Sequence, residues 1–282
     1  MKATAWRSLG ALAGAAGGVA LGFGITKGFG ANVGLGFLAL GGLIVVCVIL
    51  YLVARTQSTA GSRSGEFMPG VLLGLNTGVN GVLLGTIFGP VAIVICLIPA
   101  LAVIEPVARS DIYQGFLGWG NLVLPMSWVI VGIGLLFLIF SGLLALINLA
   151  IKSTFLKIEH FKLDWKTGTS FLVGGLAGNG NLAPGSTGYN MGNFAFLTKG
   201  NATSTHLIEH EAGHSLNLAI WGTVVHLIGA LDENVFGGGA NAYTELFAES
   251  NVPPSGRTGS IFPMWGPVTA PAPTPTPVAT PA

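Results

Sequence analysis

The chain has 282 residues, of which 51% are hydrophobic and 8% charged, with a formal net charge of +1. A soluble domain usually carries about 25% charged residues, so a single water-soluble globule is disfavoured: too few charges exist to cover its surface. The near-neutral balance excludes a nucleic-acid binder that works by bulk charge. Cys47 and Cys96, the two cysteines, lie in apolar runs and support neither a disulfide framework nor a Cys-rich zinc site. An integral membrane protein is the expectation.

A bilayer core needs about 20 apolar residues in a helix. Residues 8–26 (SLGALAGAAGGVALGFGIT) follow Lys2 and Arg7 and read as a retained first span, because no small-residue cleavage site precedes Lys27. Gly10, Gly14, Gly18 and Gly22 recur at the spacing that suits close helix packing. A second span is expected near 33–54, in the charge-free stretch between Lys27 and Arg55. The stretch 68–104 reads either as one broken span or as a hairpin of two, turning near Gly89-Pro90. Pro69, Pro90 and Pro99 interrupt it, and Asn76 and Asn80 sit inside it. Such backbone is tolerated at membrane depth only where protein or a cavity covers it. A further span is expected near 122–150. Lys2, Arg7, Arg55 and Arg63 suit the cytoplasmic side; the side of the C-terminal half depends on whether 68–104 crosses once or twice.

After Ile151 the texture changes. IKSTFLKIEHFKLDWKTGTS is amphipathic and charged, and FLVGGL and NFAFLT look like short strands among Gly and Asn. A helix follows, with Thr203, Ser204 or Thr205 as its N-cap. Residues 267–282 form a Pro/Thr-rich tail with nothing to pack, expected to be disordered. All five histidines lie after Ile151, and four fall between His206 and His226.

His210, Glu211 and His214 form H-E-x-x-H. On a helix, positions i and i+4 share a face, so two imidazoles can reach one zinc at about 2.0–2.1 Å each. Glu211 then faces the open coordination side, where it can take a proton from a water whose pKa zinc lowers to about 7. His206 stands eight residues before His214, about 12 Å along a helix, too far to share that ion; it is expected at the surface or behind a ligand. A third protein ligand is required. Gly and His at 217 and 220 would complete one common pattern, but Asn217 and Ile220 stand there. NAYTELFAES offers Glu245, with Glu249 one turn on to orient His210 or His214; Glu249 and Glu233 are the rivals for the ligand position. His226 lies on the apolar continuation of the helix, as a polarising group for the reaction or as a hydrogen-bonded core residue. Trp221 and Trp265 suit a membrane interface or core packing equally.

HEAGH with a distant E-x-x-x-E resembles the gluzincin zinc metallopeptidases, and the membrane setting is similar to the CAAX-prenyl-protease type and its bacterial heat-shock membrane protease relatives. The resemblance covers about 203–252, and Glu249 replaces the usual Asp of the second motif. It implies Zn2+ bound by His210, His214 and Glu245, with Glu211 as general base. It also implies an edge strand before the active helix that holds the substrate backbone; GYNMGNFAF, including Asn193 and Phe194, is the candidate.

The expected fold is mainly α: a multi-span transmembrane helical bundle over 1–151, a small α+β zincin-like domain over 152–266, and the tail. The expected function is hydrolysis of membrane-associated or misfolded polypeptides by a multi-pass protein of a plasma or bacterial inner membrane, with the bilayer and a polypeptide as partners and no nucleic acid. The rival is a non-enzymatic membrane scaffold in which HEAGH is structural or incidental. A transporter would need more intramembrane polar residues than Glu105, Asn76 and Asn80.

Overall fold

The computed structural model of the chain describes residues 3–56, 63–108, 110–180 and 187–249. The tail 267–282 and Trp265 lie outside the described residues. The first helices are α1 (Ala3–Ala31), α2 (Val33–Thr56) and α3 (Arg63–Phe88). α1 and α3 meet along two glycine stripes, Gly10, Gly14 and Gly18 on one and Gly70, Gly74 and Gly78 on the other. A Cβ at Gly14 would collide with the Val71 carbonyl, and one at Gly74 with the Ala11 carbonyl. Small residues let backbones touch where no larger side chain fits. Arg7, fully buried, pairs its Nε with Glu66 Oε2 at 2.8 Å and donates from Nη1 to the Val103 carbonyl at 3.2 Å. A charge at such depth is tolerated because it is paired and hydrogen-bonded.

Of the two readings of 68–104, the hairpin's turn is found, but its second arm is not a membrane-length helix. The chain turns at Gly89, whose φ is +57°, and Pro90, and α4 (Val91–Ala100) packs against α3. With the 3-10 turn that follows, α4 is apolar from Val91 to Val103, too short to cross a bilayer alone. Short helices α5 (Glu105–Ala108) and α6 (Asp111–Gly120) lead to α7 (Trp128–Ile151). α7 leaves Leu136, Leu143, Leu146 and Leu149 exposed on its outer surface, as a lipid-facing helix does.

A small mixed sheet follows. It contains β1 (Ile158–Asp164), β2 (Thr169–Gly174), β3 (Gly188–Met191) and β4 (Phe194–Leu197), with α8 (Gly175–Asn179) after β2. The order is β1-β2-β4-β3; β2 and β4 are parallel and the other pairs antiparallel. GYNMGNFAF is therefore not one edge strand. Gly192, at φ +75°, reverses the chain between β3 and β4, so β3 takes the edge and β4 the interior. Phe194 is buried in β4. Asn193 is buried in the turn, where its Nδ2 donates to the Gly118 and Gly168 carbonyls at 2.9 and 2.7 Å.

The last helices are α9 (Thr205–Asn234) and α10 (Tyr243–Glu249). Ser204 caps α9, its Oγ accepting from the Leu207 N–H at 3.4 Å. α9 is not continuous: Gly222, at φ 76° and ψ 175°, breaks it. The break frees backbone carbonyls in an apolar setting, and the bundle satisfies them. Asn76 Nδ2 donates to the Ala219 and Ile220 carbonyls at 3.1 and 2.9 Å. Asn80 Nδ2 donates to Asn76 Oδ1, and its own Oδ1 accepts from the Met126 N–H. The asparagines inside the apolar stretch thus serve a neighbouring helix, as the membrane rule requires.

Among the described residues, five helices are long and apolar enough to cross a membrane: α1, α2, α3, α7 with its preceding turn, and α9. α9 and α10 share one core with the first bundle, since Leu216, Ile220, Trp221, Tyr243 and Phe247 pack with Leu72, Leu84 and Leu117. A second cluster joins Ile130 and Val131 of α7 to Leu172, Phe194 and Phe196 of the sheet. Trp221 is a core residue, stacked on Tyr243 at 5.6 Å and edge-on to Phe247 at 4.3 Å.

Candidate metal centre

The segment of α9 before Gly222 places His210 and His214 one turn apart, and α10 brings Glu245 across from them. The three could hold a metal ion, since one ligand atom of each lies within 4.8 Å of the others. His210 Nε2 is 3.2 Å from His214 Nε2 and 3.1 Å from Glu245 Oε2, and His214 Nε2 is 3.2 Å from Glu245 Oε1. Tetrahedral ligands at about 2.0–2.1 Å from zinc stand about 3.3 Å apart, so the spacing fits a small divalent cation. The donor chemistry fits as well. Glu249 Oε2 lies 3.0 Å from His210 Nδ1; a proton held there would leave Nε2 of the neutral imidazole as the ligand atom. Two imidazole nitrogens and a carboxylate thus converge as a donor set that could hold a cation.

Electrostatics agree. Burial pushes the Glu245 carboxyl up, but the neighbouring His214 charge and hydrogen bonds from both imidazoles outweigh it and hold it well below the usual carboxylate range. The hydrogen bond from His210 likewise lowers Glu249, against partial burial and with help from His206. His206 itself is exposed and reaches Glu249 Oε1 through Nε2 at 2.8 Å.

A cleft of about 830 Å³ opens on the cluster. Its walls include β3, His210, Glu211, His214, Glu245 and the α9 segment after the break. Glu211 is 3% exposed, and its Oε2 has no hydrogen-bond partner. His226 also lines the cleft, with its ring 6.0 Å from that of His214 and a backbone hydrogen bond to Asn190. Asn190 in turn donates from Nδ2 to the Glu211 carbonyl at 2.8 Å and to Ser215 Oγ at 3.0 Å. The edge strand is therefore tied to the motif helix from both sides.

The structure brings His210, Glu211, His214, Glu245, Glu249 and His226 together. It leaves Asn193 and Phe194 in the interior, and β3 residues Gly188 to Met191 line the cleft in their place. Glu233 lines the cleft but is not among the three residues of the cluster. Sequence reasoning passed over Asn190 and Tyr51. Tyr51 OH donates to Asp232 Oδ2 at 2.8 Å and accepts from the Tyr243 N–H at 3.1 Å, tying α2 and α9 to the first residue of α10. Asp232 also pairs with Arg55 at 2.8 Å. A tyrosine inside an apolar span was the only available signal.

A mainly helical chain with membrane-length helices, a small mixed sheet and a His-His-Glu cluster able to hold a metal ion is the class that fold and site define. No family model, curated protein or solved structure matches this chain.

Proposed function

We propose that the protein is a multi-pass integral-membrane zinc metallopeptidase of the gluzincin type, acting on membrane-associated or misfolded polypeptides. The observation that carries this reading is Glu211. A buried carboxylate with an orphaned oxygen, in a cleft beside a His-His-Glu donor set, is costly unless it handles protons. Two imidazoles, one carboxylate and an open side form the donor set of catalytic rather than structural zinc. Zinc bound there supplies a Lewis acid and brings the pKa of water into the neutral range.

The chain's own residues do the rest. Glu211 accepts a proton at Oε2 and returns it to the leaving amine. Among the described residues β3 has a strand partner on one side only, so its outer edge can receive an extended peptide. His226 and Asn190 hold that edge at a fixed distance from Glu211. Glu249 orients His210 through Nδ1. Because α9 is itself apolar enough to cross a membrane, the substrate meets the site at or within the bilayer of a plasma or bacterial inner membrane.

The test is metal content and proteolysis of the detergent-purified chain, wild type beside Glu211→Gln and His214→Ala. About one zinc per chain, lost in His214→Ala, together with peptide cleavage lost in Glu211→Gln while zinc is retained, is the expected result. Cleavage that survives Glu211→Gln overturns the mechanism. A folded protein that takes up no zinc points instead to a scaffold.

A further inference from the structure

The α9 segment after Gly222 forms one wall of the cleft. His226, Ala230 and Glu233 all line it. Their spacing of four and then three residues puts them on one helical face, with Glu233 about 10 Å beyond His226 along the axis. Leu227 and Leu231 make the wall between them apolar.

Glu233 is half-buried and close enough to Glu211 and Glu245 for the charges to repel. Its Oε2 accepts from the neighbouring Asn234 side chain at 3.0 Å. Among the described residues no Lys or Arg pairs with it, and none lines the cleft. The adjacent Asp232 is different: it is buried on the far side of the helix and takes Arg55 and Tyr51. The cleft therefore holds three carboxylates, Glu211, Glu233 and Glu245. Glu245 faces the imidazoles and Glu211 keeps an unpartnered buried oxygen. Glu233 is not one of the three residues of the metal-ion group; Glu245 repels it and the His214 and His210 rings attract it, and a cation entering the cleft would meet a carboxylate that no Lys or Arg among the described residues neutralises.

We infer that Glu233 selects peptides carrying a protonated amine or guanidinium on one side of the scissile bond. The inference rests on the peptidase reading above and adds the substrate class. A Lys or Arg side chain and a free amino terminus present the same chemistry, with the apolar wall taking the intervening side chains.

The experiment uses the zinc-loaded full-length protein in detergent. Short apolar peptides carry Lys at each position in turn, beside a matching norleucine set, each free and N-acetylated, and mass spectrometry locates the cuts. A Lys-to-norleucine ratio in kcat/KM of about tenfold or more is expected at one position. Persistence after acetylation identifies the side chain as the source; loss identifies the amino terminus. Glu233→Gln should bring the ratio near one, and Glu233→Lys should favour a Glu-containing set. A ratio near one in wild type, or one retained in Glu233→Gln, overturns the inference.

Anisotropy of the same peptides on Glu211→Gln protein reads selection without turnover. Selective binding lost with Glu233→Gln, in the absence of any cleavage by wild type, would sink the peptidase reading and leave the role of Glu233 standing. Cleavage without charge selection would do the reverse. Peptides neither cut nor bound would remove both.

Discussion

Glu249 holds two histidines at once: its Oε2 takes His210 Nδ1 at 3.0 Å and its Oε1 takes His206 Nε2 at 2.8 Å. One carboxylate thereby fixes both the tautomer and the ring plane of a candidate ligand. Partners of this kind are typically worth about 10–100-fold in metal affinity. Glu249→Ala should weaken zinc binding by that order, measured by competition with a chromophoric chelator. His206→Ala should have a smaller effect in the same direction, because it frees Glu249 without removing it.

Removing a donor should cost more than removing its support. His210→Ala, His214→Ala and Glu245→Ala should each lose stoichiometric zinc after dialysis, while Glu233→Gln should keep it, since Glu233 lies outside the cluster. Metal analysis of the four variants decides which carboxylate is the third ligand.

Acid should release the metal through the imidazoles. The Glu245 carboxyl is held well below its ordinary value, so its stabilising charge is present above the usual carboxylate range and is lost only in stronger acid. Over the range in which the imidazoles take up protons, those protons compete with the metal instead. Zinc affinity should fall monotonically over that window in a titration. A flat profile would argue against imidazole ligands.

Asn76 is the side chain on which the broken helix depends. Asn76→Leu keeps the volume but strands the Ala219 and Ile220 carbonyls. Each lost partner of a buried group costs about 1–3 kcal/mol. Thermal unfolding in detergent should show a lower Tm and, because His226 lies beyond the break, slower turnover. Gly222→Ala should be at least as damaging: φ is +76° and the new Cβ would run into Asn76 Oδ1.

Tyr51→Phe removes one hydroxyl and leaves Asp232 Oδ2 and the Tyr243 N–H without it. A cost of about 1–3 kcal/mol is expected. It should appear as faster amide exchange in α10 and weaker zinc binding, with the α1–α3 pair unaffected.

Much of this was readable in the residues, for physical reasons. Charge-free stretches announced the long helices, and the four-residue glycine spacing announced a close helix contact on α1, though not its partner α3. H-E-x-x-H placed two of the three residues of the candidate cluster because helix geometry is local. What depends on chain reversal was less legible. Gly192 looked like one more glycine in a Gly-rich segment, yet its positive φ sends Asn193 and Phe194 inward and puts β3 on the edge. The break at Gly222 was invisible for the same reason: an apolar run reads as one helix until a side chain such as Asn76, 143 residues away from Ala219, caps the gap. The burial of Asp232 was not legible either, because its partners Tyr51 and Arg55 are remote in sequence.

The division of the candidate ligands between α9 and α10 would make a bound ion a cross-link between the two helices. It would close the loop from His214 to Glu245 and remove the entropy that loop would otherwise keep. Without it, α10 is fastened by the Tyr51 hydroxyl, the Glu249 contacts and the aromatic stack of Trp221, Tyr243 and Phe247. A chelator would then loosen the C-terminal end before the bundle, and limited proteolysis would find its first new cut near α10.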